Sequence, residues 1–427
     1  MSALAKLAST YGYQVRGSDL HKSEETDQLA FYGIKVYIGE NKDETIIENC
    51  DLVVYTDAVK TNDQELVFAR SKGKKILSRA EFLEIVSKSF KNVIAVSGSH
   101  GKTTCTSMCT HVLKALRLPF TAHIGGLDFT FGNFYTSGDE YFVTEACEYK
   151  KNLLKLTPTT SVILNVDQDH MECYDGEKDL LNTFSSFAER SKTTFVCADD
   201  ERCLKLGDLP NFGIKNSLSD YHATEIRSNG EKYSFVVEEY GKRLCRVKLN
   251  AIGRCHIYNA LATFAVMRSY GMEEKEIVKG LENFQAVKRR FEKIGAYNGV
   301  SFICDYAHHP NEIKSTLSTA KAIKKGEVYV VFQPHTYSRT KLLLKEFIEV
   351  LSPVKNLIIY KTFSAREKFD ELGSGETLAR VMGSLYAENP FVLKTWIKST
   401  VKEGDTVLFL GAGDIYYVAQ YLLKELN

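Results

Sequence analysis

Proline is scarce in this sequence, with seven residues among 427, and tryptophan occurs once. No Pro-rich linker marks a domain boundary, so boundaries are read from changes of motif. No run of about 18 apolar residues occurs, which excludes a membrane-spanning helix. The opening Met1-Ser2-Ala3-Leu4-Ala5-Lys6 is too short and too weakly apolar for a secretory signal. Neither sign of charge dominates: 55 Lys and Arg face 54 Asp and Glu, a net charge of +1. Without a basic excess or a polybasic run, the composition argues against nucleic-acid or membrane-surface partners. The ten cysteines lack paired CxxC spacing and read as reduced core thiols of a cytoplasmic protein. Cys105 and Cys109 share a helix face and would suit a metal. Met108, Val112 and Leu116 continue the same stripe, which favours a core position.

What is present is length and a regular alternation of elements. A chain of 427 residues exceeds what one core organises, so two or three domains are expected. A helix is expected over residues 1–11, then short strands at Tyr13–Asp19, Ile34–Ile38, Leu52–Tyr55 and Lys75–Leu77. That is the grammar of a doubly wound α/β unit, here opening on a helix where such units open on a strand. A second α/β unit starts at Val93–Val96 and continues through strands at Tyr141–Val143 and Ser161–Leu164. An alternating stretch around residues 210–250, including Tyr233–Val237, suggests an antiparallel insertion, and a helical stretch over Tyr258–Leu281 closes the unit. A third unit follows Lys288, with strands at Val300–Cys304, Val328–Phe332, Leu357–Tyr360 and Thr406–Leu410. The domains are therefore placed at 1–89, 90–287 and 288–427.

The chemistry concentrates after the strands. Gly98-Ser99-His100-Gly101-Lys102-Thr103-Thr104 joins a buried strand to a helix expected over Thr103–Leu116. Two glycines let successive N–H groups face a phosphate, and the helix adds its positive end. Lys102 would supply charge to the outer phosphates of a bound nucleotide, and the Thr103 hydroxyl a ligand for Mg2+. Glu145 and His170 each follow a strand. Ligands of open parallel sheets lie beyond the carboxyl ends of strands, so both are candidate Mg2+ ligands near the loop. In the third unit, Asp305-Tyr306-Ala307-His308-His309-Pro310, Gln333-Pro334-His335-Thr336-Tyr337-Ser338-Arg339 and Gly411-Ala412-Gly413-Asp414 repeat the pattern. Arg339 and Arg366 suit bidentate binding of carboxylate or phosphate. The paired histidines read better as substrate-binding than as metal ligands. Arg289 and Arg290 are either a solvated basic patch or a cation brought to the transferring phosphate by domain closure.

Together these segments resemble the Mur ligase family, the amide-forming enzymes of peptidoglycan precursor synthesis, over nearly the whole chain. The loop GSHGKTT matches the family's short G-[ST]-x-G-K-[ST]-[ST] pattern. DYAHHP, FQPHTYSRT, AREK (Ala365–Lys368), GAGDI, Arg16–Asp19 and Arg79–Leu83 resemble its alanine-adding branch. The resemblance implies a Rossmann-like UDP-sugar domain, a central P-loop ATPase-like α/β domain and a Rossmann-like C-terminal domain. It also implies a reaction: ATP phosphorylates the carboxylate of UDP-N-acetylmuramate, and the amine of L-alanine attacks the acyl phosphate. By the same resemblance Lys102, Glu145, His170 and Arg290 are catalytic, with Thr103, Glu145 and His170 on Mg2+. Asn259, Arg290 and Asp305 contact ATP, while Asp19, His308, His309, His335 and Arg339 meet substrate.

Three features depart from the family pattern. The usual opening strand and GxGGxG-like uridine-diphosphate loop are not found, and Met1–Ala5 resembles the segment that comes after that loop. EADExD reads Glu145-Ala146-Cys147-Glu148-Tyr149-Lys150. HNxxNA reads Cys255-His256-Ile257-Tyr258-Asn259-Ala260. The lysine that some sister ligases carbamylate is missing, with Phe184-Ser185-Ser186-Phe187 in its place, and that absence agrees with the alanine-adding branch. A sister ligase adding another amino acid or peptide, or a nucleotide-binding homologue without ligase activity, fits the same loop.

Overall fold

The computed structural model describes residues 1–39, 45–230 and 232–427. The chain divides into two compact units, one of residues 1–226, 234–249 and 257–284, the other of residues 227–233, 250–256 and 285–427.

The first unit opens with helix Ser2–Thr10, which buries Ala3, Leu4, Leu7 and Ala8 on one face. Four short strands follow in two parallel pairs: Arg16–Asp19 with Lys35–Ile38, and Leu52–Tyr55 with Lys75–Ser78. The sequence places all four correctly and suggests one sheet. Among the described residues they form two separate two-stranded sheets. Parallel pairs merge into a doubly wound sheet only through a strand that bonds to both, and no described residue supplies one.

The rest of this unit is organised by a ten-stranded sheet. Its centre runs Thr160–Ile163, Asn92–Ser97, Tyr141–Glu145, Phe120–Asp128, all parallel neighbours. Ile94, Ala95 and Val96 are wholly buried, as expected of a strand covered on both faces. Helix Lys102–Ala115 follows, and every residue from Thr103 to Leu113 is buried. The sequence suggests a one-sided stripe; the helix is instead enclosed, packing on helix Glu274–Asn283 as well as on the sheet. Cys105 and Cys109 lie in this core. Tyr221–Ser228, Tyr233–Glu239 and Lys242–Leu249 extend the same sheet to its edge. The last two are joined by Tyr240-Gly241 at φ 50° and 74°, the tight hairpin turn that needs two positive φ values.

The second unit holds a six-stranded sheet ordered Glu292–Tyr297, Val300–Asp305, Thr406–Leu410, Val328–Phe332, Asn356–Tyr360, Leu385–Ala387. The first pair is antiparallel and the rest parallel. One face buries Ile303, Val330, Phe332 and Leu408 with Ile313, Leu317 and Phe347. The other buries Phe302, Val331 and Phe409 with Leu393, Ile397, Ala419 and Leu422. Asp305, Leu410 and Phe332 are register partners, so the three motif segments leave adjacent strands at the same end of the sheet.

A buried carboxylate ties the enclosed helix to its neighbouring hairpin. Asp128 accepts from Ser107 Oγ at 2.5 Å, His111 Nε2 at 3.1 Å, and the N–H groups of Thr130 and Phe131 at 2.7 and 2.9 Å. Burial opposes its ionisation, yet the bonds from His111, Ser107 and Phe131 hold the carboxyl below its usual range. The ionised form therefore stabilises the fold above the usual carboxylate pKa of about 4. That contribution is lost as pH falls through the depressed folded value. Asp128→Asn is expected to cost about 2–3 kcal/mol at pH 7. Thermal melts at pH 7 and pH 3.5 should show the gap to the native protein narrowing in acid.

Candidate active site

Strand Asn92–Ser97 runs directly into the glycine loop. Gly98 and Gly101 take φ values of 127° and 89°, which side chains oppose by crowding the backbone. A Cβ on Gly101 would stand 2.8 Å from Asn259 Oδ1, so buried Asn259 lies directly against the loop. The segment after strand Thr160–Ile163 braces the loop from the side. Asn165 Oδ1 accepts from the His100 N–H at 2.8 Å, and its Nδ2 donates to the His100 carbonyl at 3.0 Å. Ser99 Oγ accepts from the Asp167 N–H at 2.8 Å, and His100 Nε2 stands 3.0 Å from the Asp167 carboxylate. Asn165 and Asp167 carry no signal in the sequence beyond following a strand.

Lys102 is the most constrained side chain of the site. Its Nζ donates to the carbonyls of Gly98 and Ser99 at 2.5 and 3.1 Å, and to both oxygens of Glu148 at 3.0 and 2.8 Å. Burial opposes its charge, but Glu148, with Cys147 and Glu145 beyond it, holds the ammonium's pKa above the usual lysine value. The Glu148 side chain is only 2% exposed, and its backbone carbonyl accepts from Tyr174 Oη at 2.5 Å. Sequence reasoning singles out Glu145 and passes over Glu148, the second acid of the same motif. Glu145 Oε1 instead accepts from the Gly125 N–H at 2.7 Å.

His170 follows at φ 55°, with its ring against Tyr149 at 5.0 Å between centroids. Glu148, Asp169 and His170 each offer a ligand atom within 4.8 Å of the others'. Two carboxylates and an imidazole form a donor set suited to a hard divalent cation. Thr103 and Thr104 are buried in the first turn of the enclosed helix, whose N-terminus faces the loop. Asp19 ends strand Arg16–Asp19, exposed, and accepts from the His21 N–H at 3.1 Å; no bond links it to the loop residues.

The second unit gathers its candidates at one end of its sheet. Tyr306, His308, His335 and Phe363 form a ladder of rings, with successive centroids 5.4, 5.7 and 5.5 Å apart. Arg339 Nη1 reaches His335 Nδ1 at 3.1 Å. His308 Nδ1 lies 3.0 Å from the Tyr306 carbonyl and 3.2 Å from Glu312 Oε2. His309 is buried and caps helix Pro310–Ile323, accepting from the Asn311 N–H. Arg290 is flanked by Arg289 and Phe291 at φ 63° and 50°, unusual for side chains of that size. Both guanidinium carbons lie about 5 Å from the Tyr306 ring centre, at 4.9 and 5.0 Å. Asp305 accepts from the N–H groups of Phe291 and Ala307 at 2.7 and 2.8 Å. Burial raises its pKa against the pull of Arg290. His256 is driven down to about 4 by burial, with Arg290 adding to the shift, so its imidazole is neutral at pH 7. Arg366 is exposed.

Three family models cover most of the chain: the Mur ligase family catalytic domain at residues 1–91, the Mur ligase middle domain at 96–267 and the Mur ligase glutamate ligase domain at 289–413. The chain is 38% identical to a UDP-N-acetylmuramate–L-alanine ligase of Clostridium beijerinckii, spanning 99% of this chain and 95% of that one. The chain belongs to the Mur ligase family. A relative of the same name from Caldicellulosiruptor bescii is also 38% identical, over 100% of this chain and 96% of that protein. The crystal structure of a UDP-N-acetylmuramate-alanine ligase from Thermotoga maritima matches with a TM-score of 0.85 at 28% identity, covering 100% and 96% of the two chains. This Mur ligase thus has the three-domain α/β fold that its motifs imply. Among its described residues, no helix is long and apolar enough to cross a membrane.

The Gly101 geometry yields a direct test on this Mur ligase. Gly101→Ala should weaken ADP binding by about tenfold or more and cost about 1–2 kcal/mol, since both left-handed strain and the Asn259 contact oppose a methyl group. Isothermal titration with ADP and a thermal melt measure the two effects.

Proposed function

We propose that this Mur ligase joins L-alanine to UDP-N-acetylmuramate at the expense of ATP. The observation that carries the reading is the loop 98–104 with Lys102 poised at its centre, in a chain 38% identical over its length to ligases of that name. In the proposed reaction the muramyl carboxylate attacks the γ-phosphorus, the bond to the β,γ-bridging oxygen breaks, and ADP leaves. The amine of L-alanine then attacks the acyl phosphate, a proton is lost, and phosphate departs as the amide forms. Phosphoryl transfer of this kind needs positioning and charge neutralisation more than covalent help.

The loop N–H groups and Lys102 hold the phosphates, and Asn259 borders the adenine side. Thr103, Glu145 and His170 remain the proposed ligands of Mg2+, joined by Glu148 and Asp169. When bound, the ion supplies charge neutralisation to the transferring phosphoryl group. Arg290 and Asp305 meet the nucleotide. The Tyr306, His308, His335, Phe363 ladder with Arg339 forms a partly apolar, cation-bearing seat for the amino acid and the muramyl carboxylate. Asp19 belongs to the nucleotide-sugar side. Domains at 1–89, 90–287 and 288–427, and a cytoplasmic location, accompany this reading.

The assay is phosphate release from ATP. Release should require UDP-N-acetylmuramate and L-alanine together, and L-alanine should exceed glycine, L-serine, D-glutamate and a tripeptide in kcat/KM. Undiminished release without the nucleotide sugar would sink the proposal, and preference for a peptide would move it to another branch of the family.

A further inference from the structure

Glu148 has two sets of potential partners and one carboxylate to offer them. Both its oxygens lie on Lys102 Nζ, and the side chain is almost wholly buried. Asp169 and His170 present ligand atoms within 4.8 Å of the same carboxylate.

The backbone that carries Glu148 is not free to swing. Lys150 and Lys151, just beyond it, both take left-handed conformations at φ 51° and 58°. Such residues persist only where their surroundings hold them. Asn152 Nδ2 donates to Asp57 Oδ2 at 2.7 Å, Lys151 Nζ to Asp179 Oδ1 at 2.8 Å, and Tyr174 fixes the Glu148 carbonyl. What can change is the cation on the carboxylate, not its place.

A buried carboxylate stripped of its partner is strongly unfavourable. If nucleotide phosphates draw Lys102 away, Glu148 needs another positive charge, and Asp169 with His170 stands ready to hold one. If no divalent ion is present, Glu148 keeps Lys102 and withholds it from phosphate. We infer that Glu148 is an exchange point: Lys102 and a divalent cation compete for it, so that cation binding releases the loop lysine to the nucleotide. The inference rests on the loop being a nucleotide site, but the competition itself concerns only this chain and the ion. Linkage makes it reciprocal: whatever removes Lys102 from Glu148 must strengthen the cation's hold.

The test uses nucleotide-free protein and Mn2+, followed by electron paramagnetic resonance of the free ion. Lys102→Met removes the competitor and should tighten Mn2+ binding by about tenfold or more, given the strength of close charge pairs in a buried site. Mn2+ should raise the melting temperature of Lys102→Met more than that of the native protein, by the same linkage. The double variant Lys102→Met with Glu148→Gln should lose both gains. As a second check, on folded protein verified by its thermal melt, Glu148→Gln alone should bind ADP more tightly than the native protein in EDTA, and show a smaller gain on adding Mg2+. Unchanged or weaker Mn2+ binding in folded Lys102→Met overturns the inference. So does an equal dependence of ADP affinity on Mg2+ in native and Glu148→Gln protein. Absence of substrate-dependent phosphate release would remove the proposed ligase activity while leaving the Mn2+ result to stand or fall by itself.

Discussion

An ammonium group placed inside a protein must be surrounded by oxygen, and that requirement shapes the loop of this Mur ligase. Lys102 meets it with two carbonyls of its own loop and both oxygens of Glu148. The loop must therefore curl back on itself, which calls for glycine at 98 and 101. Strand Tyr141–Glu145 must deliver a carboxylate from the adjacent side, and the chain beyond it must turn through two left-handed residues to keep that carboxylate in place. The parallel centre of the sheet makes this possible, because neighbouring parallel strands all release their loops at one end.

The second unit solves a related problem with rings and arginines. Asp305 is held by the N–H groups of Phe291 and Ala307, and Arg290 acts on it through charge. Gln333 then links two of the motif segments: its Nε2 donates to Asp414 Oδ1 at 2.6 Å and its Oε1 accepts from the Ile415 N–H at 3.1 Å. Buried polar groups satisfied in this way make loop ends rigid. Beside them Tyr306, His308 and His335 meet edge to face, and His335 stacks on Phe363.

Much of this is legible in the sequence, and the reason differs from residue to residue. Strand Asn92–Ser97, the loop, and strands Val300–Asp305 and Thr406–Leu410 announce themselves through short apolar runs followed by glycine or acid, a local signal. His308 and His335 stand out because their motifs are contiguous. Glu148 escapes notice because its importance lies in a contact with a residue 46 positions away, which no spacing rule encodes. Asn165 and Asp167 escape for the same reason. The left-handed backbone at Lys150, Lys151, Arg289 and Phe291 is invisible to propensity, since tertiary contacts impose it against local preference. Among the described residues the first four strands stand as two pairs rather than one sheet, because strand existence is local, whereas strand partnership is not.

The six-stranded sheet buries apolar side chains on both faces, while all three of its motif segments emerge at a single end. Core and chemistry are thereby insulated from each other along the chain. His335, Arg339 and Phe363 lie beyond the strand ends, whereas Val330, Leu408 and Phe409 lie within the packed strands, so a change at a loop tip leaves the packing of the floor in place.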